Sequence, residues 1–308
     1  MKPTTLVWRF CDGRPGHDRQ SAGLVAALAA HQPTTVLTLP AADYPHAWRH
    51  WCRGRWPGGA VAQRPHLVVG AGRACVWPVL AAARAHAAMS LYLMNPPGLR
   101  CLFDLCLIPR HDGVAAGPRV VVTEGVLNDL PAGDGPRVGP TLVLIGGPSR
   151  HHGWDEADLL RQLASLVYGT TPRQFVISDS RRTPASTSAA LRNFAQPGVV
   201  FLSHASMTSE DFRTALLNAP STWVTADSVS MLYEALSAGC AVGLLAVPAR
   251  RVDRITGLAT ALLADRRVSS LAQWLAEGCL PPPAVPLAEA QRCSRLVAAR
   301  LLAAGHGT

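Results

Sequence analysis

The stretch TADSVSMLYEALSAGCAVGLL, residues 225–245, decides the fold because it joins a strand end, a helix and a second strand. The polar residues 225–228 are typical of a helix start, and Gly239 is typical of a helix end. Apolar residues recur at helical spacing between them, and the apolar run 241–247 follows. This order predicts a strand–helix–strand unit of a parallel sheet.

The same alternation runs along most of the chain. It predicts a first set of strands at 4–10, 34–39, 66–70, 90–94, 105–109 and 119–123, with helices at 19–31 and 75–87. It predicts a second set of strands at 141–147, 174–178, 198–203, 222–226 and 241–247, of which 241–247 is the last. The helices of this second set fall at 155–169, 184–194, 209–219 and 228–239, and an amphipathic helix at 287–305 closes the chain.

Residues 128–140 separate the two sets and are rich in Pro and Gly, which indicates a linker and hinge. We therefore predict an α/β protein with two Rossmann-like domains, residues 1–135 and 136–308, that face a central cleft. The closing helix is expected to pack back on the first domain.

Composition narrows the classes of function. The chain has 308 residues and a formal net charge of +9, carried almost entirely by arginine, which suits anionic partners. Eight cysteines without a C-x-x-C pair argue against zinc and favour a reducing, cytoplasmic location. No secretory signal and no apolar run of about 18 residues is found.

The start of the helix in residues 228–239 is a candidate anion site. Asp227 or Ser228 suits the N-cap position, and Ser230 adds a hydroxyl in the first turn. Free amides and the positive end of the helix dipole attract negative groups. Glu234, about two turns further on, could accept hydrogen bonds from a ribose diol. The alternative is an ordinary capped helix.

The loop CDGRPGHDRQS, residues 11–21, is a second candidate. Gly13 and Gly16 allow a ligand to approach the backbone, while His17 and Asp18 offer acid–base chemistry near neutral pH. The alternative is a tight turn whose polar residues only cap the helix.

Two further loops follow strands of the second domain. Gly146, Gly147 and Ser149 come after its first strand, and their amides are expected to face the cleft. Arg181 and Arg182 follow its second strand, where one guanidinium could pair with a diphosphate. A flexible turn and ordinary surface arginines are the respective alternatives.

Other patterns exclude functions or leave them open. Gly70-Ala-Gly72 resembles part of a dinucleotide fingerprint, but its third position is Cys75 and it does not follow the first strand, which argues against NAD. No Asp-x-Asp pair and no G-x-S-x-G elbow occurs, so neither a metal site nor a serine hydrolase is expected. The segment 46–59 interleaves arginines with three tryptophans, Trp48, Trp51 and Trp56. It fits a membrane interface, nucleobase stacking or a tryptophan-anchored surface helix packed on its own domain.

Six motifs together resemble one family. They are DGRPGHDRQSAGL, GAGR, TEGVLN, LIGGPSRHHGW, SRRTP and TADSVSMLYEALSAG, and in this order they resemble the mitochondrial-fission "elongated mitochondria" family. That family in turn resembles two-domain nucleotide-sugar glycosyltransferases of the GT-B architecture.

The resemblance implies roles for individual residues. Ser228 and Ser230 would hold a diphosphate, Glu234 a ribose, and Arg181 or Arg182 would neutralise the leaving group. Gly146, Gly147 and Ser149 would flank the phosphates. Asp12, His17 or Asp18 would face the acceptor, one of them as general base. No metal and no cofactor beyond the nucleotide-sugar substrate is expected.

The sequence therefore leads to two hypotheses. The first is a glycosyltransferase that moves a sugar from a nucleoside diphosphate to a cell-envelope acceptor, lipid-linked or lipopolysaccharide-like, at the inner face of the membrane and without a nucleic-acid partner. The second is a non-catalytic scaffold of the same fold that binds a protein or membrane partner. A nucleotide-sugar epimerase is set aside because the NAD fingerprint is missing.

Overall fold

The structure is a computed structural model and describes residues 4–57, 63–96, 98–130, 136–169, 174–194, 196–280, 287–303 and 305. The chain divides into two compact units. The first unit is Met1–Asp129 with Ala288–Thr308, and the second unit is Leu130–Leu287. The predicted boundary between residues 135 and 136 stays a prediction, because residues 131–135 lie outside the described residues.

The first unit is built on a parallel six-stranded sheet in the order β2-β1-β3-β4-β5-β6. Its strands are β1 Thr5–Cys11, β2 Thr34–Pro40, β3 Leu67–Ala71, β4 Met89–Leu93, β5 Leu105–Pro109 and β6 Val120–Thr123. β1 and β3 are hydrogen-bonded neighbours, with Phe10 opposite Gly70. The strand order reverses direction between them, and ligands of open α/β sheets bind at such switch points.

Four α-helices of the first unit have bounds α1 Pro15–Ala29, α2 Ala47–Arg53, α3 Val76–His86 and α10 Glu289–Ala303. α10 is the closing helix, and it packs on the first unit as the fold prediction stated. Cys293, Val297 and Leu301 share one buried cluster with Leu24 and Leu28 of α1.

The second unit repeats the design with a parallel sheet in the order β12-β11-β10-β7-β8-β9. Its strands are β7 Thr141–Leu144, β8 Phe175–Ser178, β9 Val199–Leu202, β10 Ser221–Thr225, β11 Ala241–Leu245 and β12 Ser269–Ser270. Its helices are α4 Glu156–Tyr168, α5 Ala185–Arg192, α6 Ser209–Asn218, α7 Val229–Ala238, α8 Thr256–Ala264 and α9 Leu271–Glu277. The switch point lies between β7 and β10.

The α/β class is confirmed, with corrections in detail. The prediction that 241–247 holds the last strand is wrong, since β12 pairs with β11 beyond it. β12 has two residues, too few to produce a periodic signal. α1 begins at Pro15, four residues before the predicted start, because proline suits the first helical position.

The structure does not support a membrane face made by the three tryptophans. Trp51 stacks on Trp77 with ring centroids 5.5 Å apart, and Trp56 packs on Trp8 at 5.8 Å. Both are partly buried and pack against a core cluster of the first unit, while Trp48 is 45% exposed. This packing agrees with the alternative of a surface helix packed on its own domain. No described helix is long and apolar enough to cross a bilayer.

Candidate functional site

The first candidate site lies at the switch point of the first unit, where β1 leads into α1. Asp12 directly follows β1, and His17 sits in the first turn of α1. His17 Nδ1 lies 2.8 Å from Asp12 Oδ2, and the amide of Arg14 donates to Asp12 Oδ1 at 3.1 Å. The Asp12 side chain is 5% exposed and that of His17 is 19% exposed.

This geometry prepares a proton acceptor. A carboxylate acceptor on Nδ1 favours the tautomer with its proton there, so the lone pair of Nε2 is left to take a proton. Because the Asp12 side chain is buried, the negative charge stabilises the imidazolium that forms. We call Asp12 and His17 the dyad.

Gly72 makes room for the dyad at the end of the neighbouring strand β3. Its φ is +86°, and a Cβ at this position would lie 2.2 Å from Asp12 Oδ2 and 2.4 Å from His17 Nδ1. Only glycine fits both constraints. Sequence reasoning assigned Gly72 to an incomplete nucleotide fingerprint, because the adjacency of β1 and β3 cannot be read from local pattern.

Asp18 is directed elsewhere. Its backbone oxygen accepts a hydrogen bond from Arg9 Nη1 at 3.1 Å, and its side chain contacts the Cys11 thiol. Burial is the main reason that the pKa of Cys11 is raised, with Asp18 adding to the effect against Arg9. The structure therefore brings together two of the three predicted catalytic residues, Asp12 and His17.

The second candidate site lies at the switch point of the second unit. Gly146 donates its amide to Thr225 Oγ1 at 2.8 Å, and Gly147 donates to Asp227 Oδ2 at 3.0 Å. A Cβ on Gly146 would lie 2.3 Å from Asp227 Oδ2, and one on Gly147 would lie 2.0 Å from the Arg182 carbonyl oxygen. Both amides are thus used inside the protein, so they frame the site and do not themselves point at a ligand.

Asp227 and Arg182 lock this frame. Arg182 Nη2 lies 2.7 Å from Asp227 Oδ2, and Arg182 Nη1 donates to the Gly147 carbonyl at 2.8 Å. The Asp227 side chain is fully buried, and its Oδ1 has no hydrogen-bond partner among the described residues. Of the two predicted arginines, Arg181 is exposed and has no polar partner in the described part of the chain.

The start of α7 is open to an anion. Ser228 is its N-cap residue, but no side-chain hydrogen bond caps the helix, and no acidic residue lies in the first turn. Ser230 is exposed in that turn. Glu234 is buried at 5% exposure and takes part in interactions within the protein. The amides, the dipole and the two serine hydroxyls can therefore receive a phosphate group.

Sequence reasoning missed the role of the loop after Ser149. Ser149 Oγ accepts the amides of His151 and His152, both at 3.1 Å, so this side chain holds the loop itself. His152 is buried, and its Nδ1 has no partner among the described residues. Burial lowers the pKa of His152, and the charge of Asp227 opposes that effect in part.

A second Asp–His pair was also missed. Asp179 follows β8 and accepts from His204 Nδ1 at 2.9 Å and from the His204 amide at 2.7 Å. Burial of the Asp179 carboxyl raises its pKa, but these bonds and one from Ser188 outweigh burial and lower it overall. The two residues meet because β8 and β9 are neighbours in the sheet, and a single sequence does not reveal which strands are neighbours.

Among the described residues, no group of three or more His, Cys, Asp or Glu side chains could hold a metal ion. Both candidate sites consist of proton-transfer and anion-binding groups.

Comparison with solved structures defines the class. The fold is similar to that of a putative UDP-N-acetylglucosamine 2-epimerase from Listeria monocytogenes, with a TM-score of 0.60, 12% identity and coverage of 97% of this chain and 96% of the other. It is also similar to UDP-GlcNAc 2-epimerase from Neisseria meningitidis bound to UDP-GlcNAc, with a TM-score of 0.54, 12% identity and coverage of 98% of this chain and 100% of the other. The glycosyltransferase SnogD from Streptomyces nogalater is similar with a TM-score of 0.52, 14% identity and coverage of 98% of this chain and 99% of the other. The chain has a GT-B-like fold.

Comparison with family profiles assigns the chain to a protein family. The profile of the family described as Mitochondrial fission ELM1 matches residues 15–301, and the chain belongs to this family. An uncharacterized protein, RP120, from Rickettsia prowazekii (strain Madrid E) is 32% identical over 103 residues. That match spans 32% of this chain and 29% of the relative. The resemblance read from the six motifs is confirmed.

Proposed function

We propose that this protein is a GT-B-type glycosyltransferase that moves a sugar from a nucleoside-diphosphate donor to a cell-envelope acceptor, lipid-linked or lipopolysaccharide-like. The observation that carries the proposal is the dyad, in which a buried carboxylate orients a partly exposed histidine beside a glycine that admits no side chain. A scaffold would have no need of a base held in one tautomer.

The dyad would act on the acceptor. His17 Nε2 would take the proton of an acceptor hydroxyl as its oxygen forms a bond to the anomeric carbon of the sugar. The bond from that carbon to the diphosphate would break, and the electron pair would leave with the diphosphate. Asp12 would stabilise the imidazolium. This division of roles is an inverting mechanism.

The donor belongs in the second unit. The open start of α7 and the Arg181 guanidinium would compensate the charge that grows on the leaving diphosphate. Arg182 is held by Asp227, so its contribution would be to keep the frame rigid. We assign the enzyme to the cytoplasm, at the inner face of the membrane, where such donors and lipid-linked acceptors would meet.

Nucleotide binding tests this proposal first. We would measure the melting temperature of the full chain with UDP, GDP, ADP and CMP. A ligand at about 100 times its dissociation constant adds about 2.7 kcal/mol to the free energy of unfolding, so one nucleotide is expected to stabilise the protein. Arg181→Gln is expected to weaken this response.

Arg161→Gln is the matched control, because the Arg161 side chain pairs with its neighbour Asp158 on the surface of α4. The absence of any response in the wild type would contradict the donor site. A response that Arg161→Gln and Arg181→Gln lower equally would contradict the role of Arg181.

An epimerase is a second candidate, since two of the three similar structures bear that name. Incubation with UDP-GlcNAc alone separates the two: an epimerase would produce a C2 epimer visible by NMR, whereas a transferase needs an acceptor to change the donor.

The scaffold alternative is supported by the family description, which refers to mitochondrial fission. Combined His17→Gln and Arg181→Gln substitutions would disable both candidate sites. A cellular function that survives them would favour the scaffold, and its loss with unchanged protein abundance would favour the enzyme.

A further inference from the structure

Two loops of the second unit are joined into one rigid feature beside the Gly147–Asp227 frame. The Arg250 amide donates to the His151 carbonyl at 2.8 Å, and the Gly153 amide donates to the Pro248 carbonyl at 2.7 Å. An antiparallel bridge between His152 and Ala249 lies between these bonds. The loops after β7 and β11 therefore present their side chains from a fixed backbone.

A cavity of about 580 Å³ opens on these loops, and its lining is strongly basic: Arg150, His151, Arg251, Val252, Asp253 and Arg254. The lining thus holds three arginines and one aspartate. We call this cavity the arginine pocket.

Asp253, the carboxylate among the described lining residues, already has hydrogen-bond partners within the protein. Asp253 Oδ1 accepts the amides of Ile255 and Thr256, at 2.9 and 3.2 Å. Its Oδ2 accepts from His151 Nδ1 and from Arg251 Nε, both at 2.6 Å. The bond from His151 is the main reason that the pKa of Asp253 is held far below its usual range.

His151 is fixed in the same network. Arg150 Nε donates to His151 Nε2 at 2.8 Å, which makes that nitrogen an acceptor and leaves the ring proton on Nδ1, toward Asp253. Asp253 compensates the charge of Arg251, and the Arg150 guanidinium adds a positive charge at the cavity.

We propose that the arginine pocket binds an oxyanion of the substrate, a phosphate or carboxylate group separate from the nucleoside diphosphate. Guanidinium groups bind such oxyanions through paired, charge-assisted hydrogen bonds. The assignment to a substrate rests on the proposed function and deepens it: the enzyme would use either an acidic sugar donor or a phosphate-bearing acceptor.

The test measures the melting temperature of the full chain against inorganic phosphate at constant ionic strength, with chloride as the replaced anion. The variant is Arg150→Gln with Arg251→Gln. We expect the variant to need about tenfold more phosphate for the same rise in melting temperature, because two oxyanion donors are lost.

Two controls are matched to this variant. Arg161→Gln with Arg213→Gln removes two arginines that pair with acidic neighbours on helix surfaces of the same unit and is expected to behave as wild type. Arg181→Gln reports phosphate bound at the start of α7. If the double variant does not fold, Arg150→Gln alone carries the test, since it leaves the Arg251–Asp253 pair in place.

Three results would overturn the proposal. They are a wild type that does not respond to phosphate, a response lowered only by Arg181→Gln, and a response lowered equally by both arginine pairs. The last would indicate general charge attraction at the surface.

Two further pairs of compounds identify the source of the oxyanion. UDP-glucuronate is compared with UDP-glucose, and farnesyl phosphate with farnesol. The charged member of one pair is expected to stabilise the wild type more, and the double variant to lose that difference. If neither charged compound does so, the pocket binds free phosphate only and its assignment to the substrate is wrong.

The proposed function and the arginine pocket can be contradicted independently of each other. If UDP, GDP, ADP and CMP leave the wild type unchanged while phosphate stabilises it through Arg150 and Arg251, the donor site is wrong and the pocket stands. If a nucleotide stabilises the wild type and the double variant equally, and phosphate has no effect, the donor site stands and the pocket is wrong.

Discussion

The switch points of the two units share one arrangement, an aspartate packed against a glycine, but the aspartate has a different partner in each unit. In each, a buried aspartate follows a strand and lies so close to a glycine that a Cβ would fall 2.2 or 2.3 Å from its Oδ2. In the first unit the partner of the aspartate is His17, whose charge depends on pH. In the second unit the partner is Arg182, whose charge is permanent.

The partner decides what each site can do. A carboxylate beside an imidazole can assist proton transfer, because the imidazole gains and loses a proton near neutral pH. A carboxylate beside a guanidinium cannot, and it instead holds together the loops after β8 and β10, which carry the two groups. The first switch point is thus suited to proton transfer and the second to a fixed arrangement of loops. Substitutions that affect activity in one unit should affect stability in the other.

His17→Gln has the largest expected effect. It removes the base, so turnover in a sugar-transfer assay should fall by about 10²–10⁴-fold while the melting temperature stays close to wild type. His50→Gln on α2 is the control for losing a histidine from the first unit. Unchanged turnover in His17→Gln would remove the dyad from the mechanism.

Gly72→Ala tests the close approach of β3 to the dyad. The added Cβ collides with Asp12, and the positive φ is strained, so we expect the free energy of unfolding to fall by about 3 kcal/mol. Gly13→Ala is the matched control, since Gly13 has φ +76° with no atom within 4 Å of a Cβ, and it should cost about 1 kcal/mol. Chemical denaturation measures both. Equal losses would show that backbone strain alone matters and that the dyad does not press on Gly72.

Removing the charge from each aspartate should have different effects in the two units. Asp227→Asn removes the buried negative charge that pairs with Arg182, so it should cost about 2–3 kcal/mol of stability. Asp12→Asn should cost less than about 1 kcal/mol but lower turnover by about 10²-fold, since His17 loses its orientation. The reverse pattern would contradict the division of roles drawn above.

The smallest effect concerns pH and His152. Burial lowers the pKa of His152 in the folded state, so as the pH falls below about 7 the unfolded chain, with a pKa of about 6.5, binds a proton more readily than the folded chain does. Stability should therefore fall as the pH falls through this range. His152→Gln should flatten the curve of melting temperature against pH.

His86 offers the same test in the first unit, since burial is also the main reason that its pKa is lowered. His86→Gln should flatten the curve in the same direction. A His152→Gln curve that runs parallel to wild type would show that His152 does not contribute to the pH dependence.

Much of the fold could be predicted from the sequence. Strands such as β5 were placed at their observed ends, because a short apolar run between polar turns leaves little choice. The start of α7 was placed within a residue because Ser228 is a typical N-cap and Gly239, with φ +76°, a typical end. α2 was predicted only as one of three alternatives for the segment 46–59, because its apolar side is formed by tryptophans interleaved with arginines.

The candidate site was predicted in part. Asp12 at a strand end, Ser228 at a helix N-cap, and His17 and Ser230 in first helical turns are polar residues at positions that local pattern can identify. The order of strands could not be predicted from the sequence. The pairing of Asp227 with Arg182 and the position of Gly72 beside the dyad depend on that order, so they could not be predicted either. A single sequence also gave no sign of the bridge that joins His152 to Ala249.

The sequence by itself determined which residues form strands and helices and which loops hold groups able to bind anions or move protons, because periodicity, capping and residue chemistry act over a few neighbours. Only the tertiary structure decided which of those groups touch. Contacts such as Arg182–Asp227 join residues far apart in the chain. They depend on which strands lie side by side in the sheet, a choice made by the packing of the whole unit.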